Sequence, residues 1–426
     1  MNDPDLNLFL ISDSHPYLIA AENTFIGPEL PHLQSVFSSV TIIPKTLGGE
    51  KVPVADEIVV DVSLAKKLKS SSTVSIFKCT LLALTSPLFY HEILKKPRIT
   101  SHPKSIMKNI LFLGKALIIK KWMQKNIEDN RINLKKSLFY TYWLNEATFG
   151  ICLLKTKYPD LIIISRAHRT DIYENSHDPP YIPYRPESFK FLNKIYADSK
   201  EGKRYLQEMY PEFNTIITES LMGVSRQDFV SQPSDDGIFR IVSCSYLVPV
   251  KRVGLLIQGL AEAGCLRDTQ IFEWTHIGDG PQHSQLKDIA ENILPANVRY
   301  QFLGYLPADR MIDYYKNHNI DVFINVSASE GTPVSIMEAQ SCSIPVVATS
   351  VGGNSEIVSD ENGYLLRANP TPAEIAEKIS SMIDNPSILK EKKIKSRQNW
   401  ALKYNSEKNF QAFSDELASI IKNNNY

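Results

Sequence analysis

The chain has 426 residues, more than one hydrophobic core usually organises, and its 43% apolar and 22% charged side chains are those of a soluble globular protein with two domains. Forty-seven basic and 47 acidic residues cancel, which leaves no reason to expect a nucleic-acid partner. The zero conceals an asymmetry: residues 1–217 carry 28 Lys and Arg against 22 Asp and Glu, and the stretch 91–136 carries 12 against 3.

In chain order, short apolar runs alternate with helical patterns. LNLFLI (6–11), VTIIP (40–44), DEIVVDV (56–62), LFYTYW (138–143), LIIISR (161–166), KIYADS (194–199) and TIITES (215–220) predict buried strands. Their continuous apolar character favours a parallel sheet covered on both faces. Helices are expected over 104–127, 145–157 and 199–210. The N-terminus MNDPDLNLFLISDSH enters a strand directly and does not resemble a secretory signal. The nearest approach to a membrane span, ILFLGKALII (110–119), is interrupted by Lys115. Five scattered cysteines without a C-x-x-C favour free thiols in a reducing compartment. These features place the chain in the cytoplasm. The basic first half is either a solvated lysine-rich face or a contact for an anionic partner, such as the inner face of a membrane or a lipid-linked diphosphate.

The polar stretch GVSRQDFVSQPSDDG (223–237) reads as a linker, and from 238 the alternation restarts. FRIVSCSYL, a helix over 251–264, FEWTHIG, a helix from 282, VRYQFLG, a helix over 309–317, IDVFINVS, a helix after Pro333, IPVVATS and a helix over 372–384 follow in turn. Two successive βαβ series predict two doubly wound α/β domains, 1–220 and 221–404. A last helical stretch, 386–423, comes after the second series is complete, and its end, from about 405, is expected to return to the first domain.

Ligands of such sheets bind beyond the carboxyl ends of the strands, so strand-end residues are the candidates for chemistry. The first loop, LISDSHPYLIAAENTF, has no glycine and lacks a dinucleotide fingerprint. HIGDGPQH (276–283) places Gly278 and Gly280 after a strand, as a phosphate loop or as a plain βα turn. In SYLVPVKRV, Lys251 and Arg252 open a helix, where cations oppose the macrodipole unless an anion is shared between them; a diphosphate fits, and two solvated basic residues are the alternative. In ASEGTPVSIMEA, Pro333 suits the first helical position and Gly331 permits a tight approach. Free N–H groups of residues 332–335 would then lie between Glu330, ahead of the helix, and Glu338, too deep to be a cap. A carboxylate accepts from vicinal hydroxyls, so the arrangement is shaped for a nucleotide sugar. In the first series SRAHRTDIYE brings His168, Arg169 and Asp171 to a strand end, with His168 either a capping or core residue or a donor to a sugar hydroxyl. Glu22 in the first loop is either structural or on the acceptor side.

With these motifs the sequence resembles the retaining glycosyltransferases of family 4, most strongly over 238–367. SEGTPVSIMEA is similar to the family's Glu-x7-Glu motif, SYLVPVKRV to its G-R-L-x-x-x-K loop, Gly278 to Pro281 to its G-x-G-P turn, and FLGYLP (302–307), with Leu303 and Tyr305, to its base-contacting strand end. VGGNSEIV, ENGYLL, ENTFIGPELPHL and SRAHRTDIYE are also of the family type, the last two resembling the subgroup that builds colanic acid, O-antigen and capsule. Two positions depart from the pattern: Ala20-Ala21-Glu22 stands where a glycine pair is common, and Tyr246 where the loop arginine is expected.

The resemblance implies a GT-B architecture of two facing Rossmann-like domains. It also implies hexosyl transfer from a UDP- or GDP-sugar to a lipid-linked glycan with retention of configuration, requiring neither cofactor nor metal. On that basis Lys251 and Arg252 stabilise the leaving diphosphate, and the segment Gly331, Thr332, Pro333 and Val334 holds sugar and phosphate, through the backbone N–H groups of all but the proline. Glu330 orients the sugar, Glu338 holds the ribose hydroxyls, and His168 donates near O6. A GT-B enzyme with a soluble acceptor and a non-catalytic nucleotide-sugar-binding partner of a polysaccharide assembly are the alternatives.

Overall fold

The computed structural model describes residues 6–19, 22–69, 72–96 and 102–424. The chain divides into one unit of residues 1–221 with 408–426, and a second of residues 222–407.

The first unit holds a seven-stranded parallel sheet of β1 (Asn7–Ser12), β2 (Ser39–Pro44), β3 (Val59–Val60), β4 (Ser137–Thr141), β5 (Ile162–Ala167), β6 (Lys194–Ala197) and β7 (Ile217–Glu219), in the order β3-β2-β1-β4-β5-β6-β7. The central strands β4 and β5 are buried along their whole length, as their unbroken apolar sequences require. DEIVVDV forms only the two-residue β3, not the full strand expected. It is the sheet's edge, pairs with β2 alone and leaves Val59 exposed, so little burial rewards a longer ladder. One face is covered by the 26-residue helix Pro103–Glu128, which buries Leu113, Ile119, Trp122 and Met123, and over it lies the helix Ser72–Leu84, unforeseen in the sequence. The 145–157 segment is helical only over Glu146–Cys152.

The second unit holds a six-stranded parallel sheet of β8 (Ile238–Cys244), β9 (Ile271–Ile277), β10 (Val298–Phe302), β11 (Val322–Asn325), β12 (Val346–Thr349) and β13 (Gly363–Leu366), ordered β10-β9-β8-β11-β12-β13. The helix Pro372–Asp384 starts as its sequence dictates, with Pro372 in the first turn and a capping box between Thr371 and Glu374. The stretch 223–237 is a strap fastened to its own unit, not a free linker. Val224 N–H donates to Tyr404 O (3.0 Å), Ser231 N–H to Cys342 O (2.8 Å) and Ser234 N–H to Asp321 Oδ1 (2.9 Å).

The same strap breaks the final helical stretch in two, Pro386–Lys403 and Ser406–Asn424. Gly223 crosses so closely that a Cβ there would stand 2.4 Å from Tyr404 O, and the backbone of 404–406 pairs with Val224 instead of continuing the helix. Beyond the break, Phe413, Leu417 and Ile421 join the core of the first unit with Leu8, Leu10 and Tyr140. Cys79, Cys152 and Cys342 are buried thiols, whereas Cys265 is exposed.

Candidate active site

The strand order of the second sheet reverses between β8 and β11, so the loops after these two strands flank the switch point at which open α/β sheets bind ligands. The first loop carries Lys251 and the second Glu330, and Ala328 N–H donates to Val250 O (2.7 Å) to tie the loops together. Lys251 ends a single turn of 3-10 helix (Pro249–Lys251), and the α-helix proper begins at Val253, two residues later than its sequence suggests. Arg252 between them is left-handed, with φ 51°.

The two basic side chains take different partners. Lys251 Nζ donates to both Glu330 oxygens, at 2.6 and 2.8 Å. The Arg252 guanidinium instead donates to the carbonyls of Val326 (2.7 Å), Ser327 (2.8 Å) and Ala368 (2.8 Å) and to Asn369 Oδ1 (3.0 Å). Arg252 thus braces the loops after β8 and β11. Glu330 also accepts from Ser327 Oγ (2.6 Å) and Asn325 Nδ2 (3.2 Å). These two donors went unread in the sequence, although an Asn and a Ser interrupting the apolar end of IDVFINVS were a signal. An ammonium has three protons; with two on Glu330, one remains for a ligand.

Pro333 is the N-cap of the helix Val334–Ser341, one position earlier than expected. Among the described residues no acceptor takes the N–H groups of Gly331, Val334 or Ser335, while Gly331 O is held by Gly353 N–H (3.0 Å). Glu338 lies one turn into this helix, partly buried, and no donor reaches its carboxylate among the described residues. Burial pushes its carboxyl up to about 7. Cys244, at the end of β8, registers both charges: burial pushes its thiol up to about 12, with Glu338 adding to the rise and Lys251 opposing it. Lys251, Glu330 and Glu338 are thus gathered at one sheet end.

In the G-x-G turn both glycine N–H groups have partners within the chain. Gly278 N–H donates to Gly304 O (2.8 Å) and Gly280 N–H to Asp279 Oδ1 (2.7 Å). Gly278 is required by proximity, since a Cβ there would lie 2.0 Å from Ser245 O. Beside it, Leu303 N–H donates to His276 O (3.0 Å), and the Tyr305 side chain is 76% exposed.

In the first unit, Glu22 opens the helix Glu22–Val36 and is buried. Its carboxylate accepts from the N–H groups of Asp13 (2.8 Å), Ser14 (2.5 Å) and His15 (3.0 Å), from Ser14 Oγ (2.8 Å) and from Trp143 Nε1. It fills the anion site of the first loop with the chain's own charge. Ala20 and Ala21 lie outside the described residues. His168 is buried between the rings of Tyr142 (4.9 Å) and Trp143 (4.6 Å), with Nδ1 3.4 Å from Asp198 Oδ2 and no partner for Nε2 among the described residues. Asp171 accepts the N–H groups of Leu144 (3.2 Å) and His168 (3.3 Å), tying the loops after β4 and β5; burial pushes its carboxyl up to about 6. Arg169 stands beside it, partly buried, at the start of the short helix Arg169–Ile172.

Residues 224–401 match the family described as glycosyl transferases group 1. Among curated proteins, the chain is 32% identical over 152 residues to a phosphatidylinositol N-acetylglucosaminyltransferase subunit of Arabidopsis thaliana, covering 36% of this chain and 32% of that protein. It is 27% identical over 221 residues to the putative colanic acid biosynthesis glycosyltransferase WcaL of Escherichia coli, covering 48% and 51%. The chain thus spans a third to about half of the length of these relatives. The crystal structure of Anabaena Alr3699/HepE in complex with UDP superposes with a TM-score of 0.61 at 16% identity, over 97% of this chain and 100% of that one. That likeness, with the two parallel-sheet units, shows the GT-B fold.

Proposed function

We propose that this chain is a retaining hexosyltransferase that moves a sugar from a nucleoside-diphosphate sugar to a hydroxyl of a lipid-linked glycan intermediate in bacterial surface-polysaccharide synthesis. The observation that carries the reading is the Lys251–Glu330 pair at the switch point, next to the unpaired N–H groups of Gly331, Val334 and Ser335. The match of residues 224–401 to glycosyl transferases group 1, the likeness to WcaL and the UDP held by the HepE structure support it.

On this reading, the remaining Lys251 proton and the free N–H groups hold the diphosphate. Glu330, fixed by four hydrogen bonds from Lys251, Ser327 and Asn325, presents its remaining acceptor surface to the sugar hydroxyls. Glu338 accepts from the ribose hydroxyls, and Leu303 and Tyr305 lie at the base. As the glycosidic bond to the diphosphate breaks, negative charge grows on the leaving oxygen, where Lys251 stabilises it without a metal. That oxygen takes the proton of the acceptor hydroxyl, which forms the new bond on the same face of the sugar. His168, with its free Nε2, contacts the sugar or acceptor.

The test is release of nucleoside diphosphate from UDP- and GDP-hexoses by wild type and by Lys251→Ala. Turnover in wild type, lost in a folded Lys251→Ala, supports the assignment; equal turnover in both overturns it.

A further inference from the structure

A cleft of about 690 Å³ opens in the second unit at the other end of the sheet from Lys251 and Glu330. Ile238, the first residue of β8, and Asp321, directly ahead of β11, both line it. Its volume falls within the range of small-molecule sites, about 300–1,000 Å³. The cleft runs between the strap and the helices Pro372–Asp384 and Pro386–Lys403, and its walls are tied together. Ile320 N–H donates to Gln232 O (3.0 Å), and Ser343 Oγ donates to Lys393 O (2.7 Å).

Most of this lining is apolar: Phe239, Met382 and Leu389 are buried in it, and Val230 and Ile394 are half exposed. Two polar side chains are buried there with hydrogen-bonding capacity left over. Ser231 is 2% exposed, and its Oγ has no partner among the described residues. Lys393 is 7% exposed; its Nζ donates to Ile320 O (3.1 Å), which uses one of three protons. Lys390 lines the cleft one turn earlier on the same helix face, and it is exposed. Against these two lysines the lining holds one carboxylate among the described residues, Asp321. Its oxygens already accept from Ser234 N–H (2.9 Å) and Arg240 N–H (2.8 Å). Burial lowers the Lys393 ammonium to about 8 although Asp321 acts to raise it, so Asp321 does not offset its desolvation.

We propose that this cleft binds a small amphipathic carboxylate, with its apolar body on Phe239, Met382, Leu389 and Ile394 and its head between Lys390, Lys393 and Ser231. The choice of ligand follows from what the lining lacks. A carboxylate only accepts hydrogen bonds, and the donors left over are two ammonium groups and a hydroxyl. A cationic head would meet both lysines, and a wholly apolar ligand would leave Ser231 and Lys393 no better partnered. A diphosphate would find little among walls that are mostly apolar. The inference does not rest on the reading of the chain as a glycosyltransferase.

The test is titration calorimetry of the full chain with octanoate, octanol and octylammonium, which share one chain and differ in the head. Saturable binding of octanoate, roughly tenfold or more tighter than either of the others, supports the proposal. So does a loss of roughly tenfold or more in the double variant Ser231→Ala, Lys390→Glu. That variant removes a hydroxyl without a partner and alters an exposed side chain, so it is expected to fold; a melting temperature and a UDP- or GDP-induced shift equal to wild type check this. The comparison of heads uses wild type alone and stands whether or not the variant folds. Absence of saturable octanoate binding overturns the proposal, as does equal binding of octanol or octylammonium, or equal octanoate binding by the folded variant. A wild-type dimer in gel filtration that Ile394→Ser converts to a monomer also overturns it, since a second copy would then fill the cleft.

Discussion

Lys251 Nζ donates to both carboxylate oxygens of Glu330, 2.6 and 2.8 Å away, across the point where the second sheet reverses its strand order. Removal of the lysine leaves Glu330, largely buried, with Asn325 and Ser327 as its donors among the described residues. On the proposed reading Lys251→Ala is expected to lower kcat on the order of 100-fold or more, since it removes the charge that would meet the leaving group. Steady-state kinetics on a variant with a cooperative melt checks this.

Glu338 gives the site a pH dependence of known sign. Its folded-state carboxyl is raised from 4.5 to about 7 by burial, so the folded chain keeps a proton that the unfolded chain has lost. Stability therefore falls as pH rises from about 4.5 to 7, by about 2–3 kcal/mol in all. Glu338→Gln removes this penalty and is expected to melt higher than wild type at pH 8, by roughly 5–10 °C. Hydroxyls are accepted by the carboxylate, so nucleoside-diphosphate binding by wild type is expected to tighten as pH rises through 7 with release of a proton. Calorimetry in buffers of different ionisation enthalpy reads that release, which Glu338→Gln is expected to abolish.

Arg252 separates bracing from ligand contact. Its donors are committed to the carbonyls of Val326, Ser327 and Ala368, so Arg252→Ala is expected to cost about 2–3 kcal/mol of stability. A direct diphosphate contact would instead raise the donor KM and leave the melting temperature unchanged. Thermal melts and kinetics on the one variant decide between them.

Glu22 occupies an anion site made by the N–H groups of Asp13, Ser14 and His15. Glu22→Ala is expected to destabilise the chain by about 3 kcal/mol or more, because several buried donors lose their acceptor. Inorganic phosphate or sulfate is expected to raise the melting temperature of that variant more than that of wild type, since a nest of N–H groups accepts an external anion.

The parallel sheets were legible because strands buried on both faces are written as unbroken apolar runs, such as LIIISR and IPVVATS. The strand-end logic pointed to Lys251 and Glu330, which the fold does bring together. What stayed hidden depends on partners distant in sequence. The return to the first domain from about 405 was expected, but its partner there, Gly223, lies far earlier in the chain. The helices 72–84 and 87–95 escaped notice because their outward faces are apolar too, which erases the amphipathic signal. Adjacent in sequence, Lys251 and Arg252 read as a pair, and only the left-handed backbone at Arg252 shows that they part.

The central claim is that a nucleoside diphosphate binds the second unit through Lys251 and Glu338. It is tested most directly by thermal shift of wild type, Lys251→Ala and Glu338→Ala with UDP, GDP, ADP and CMP. Ligands that bind only the folded chain raise its midpoint. One nucleoside diphosphate is expected to raise the wild-type melting temperature and to have much less effect on either variant. No shift of wild type by any of the four, or a shift preserved in both variants, would contradict the account.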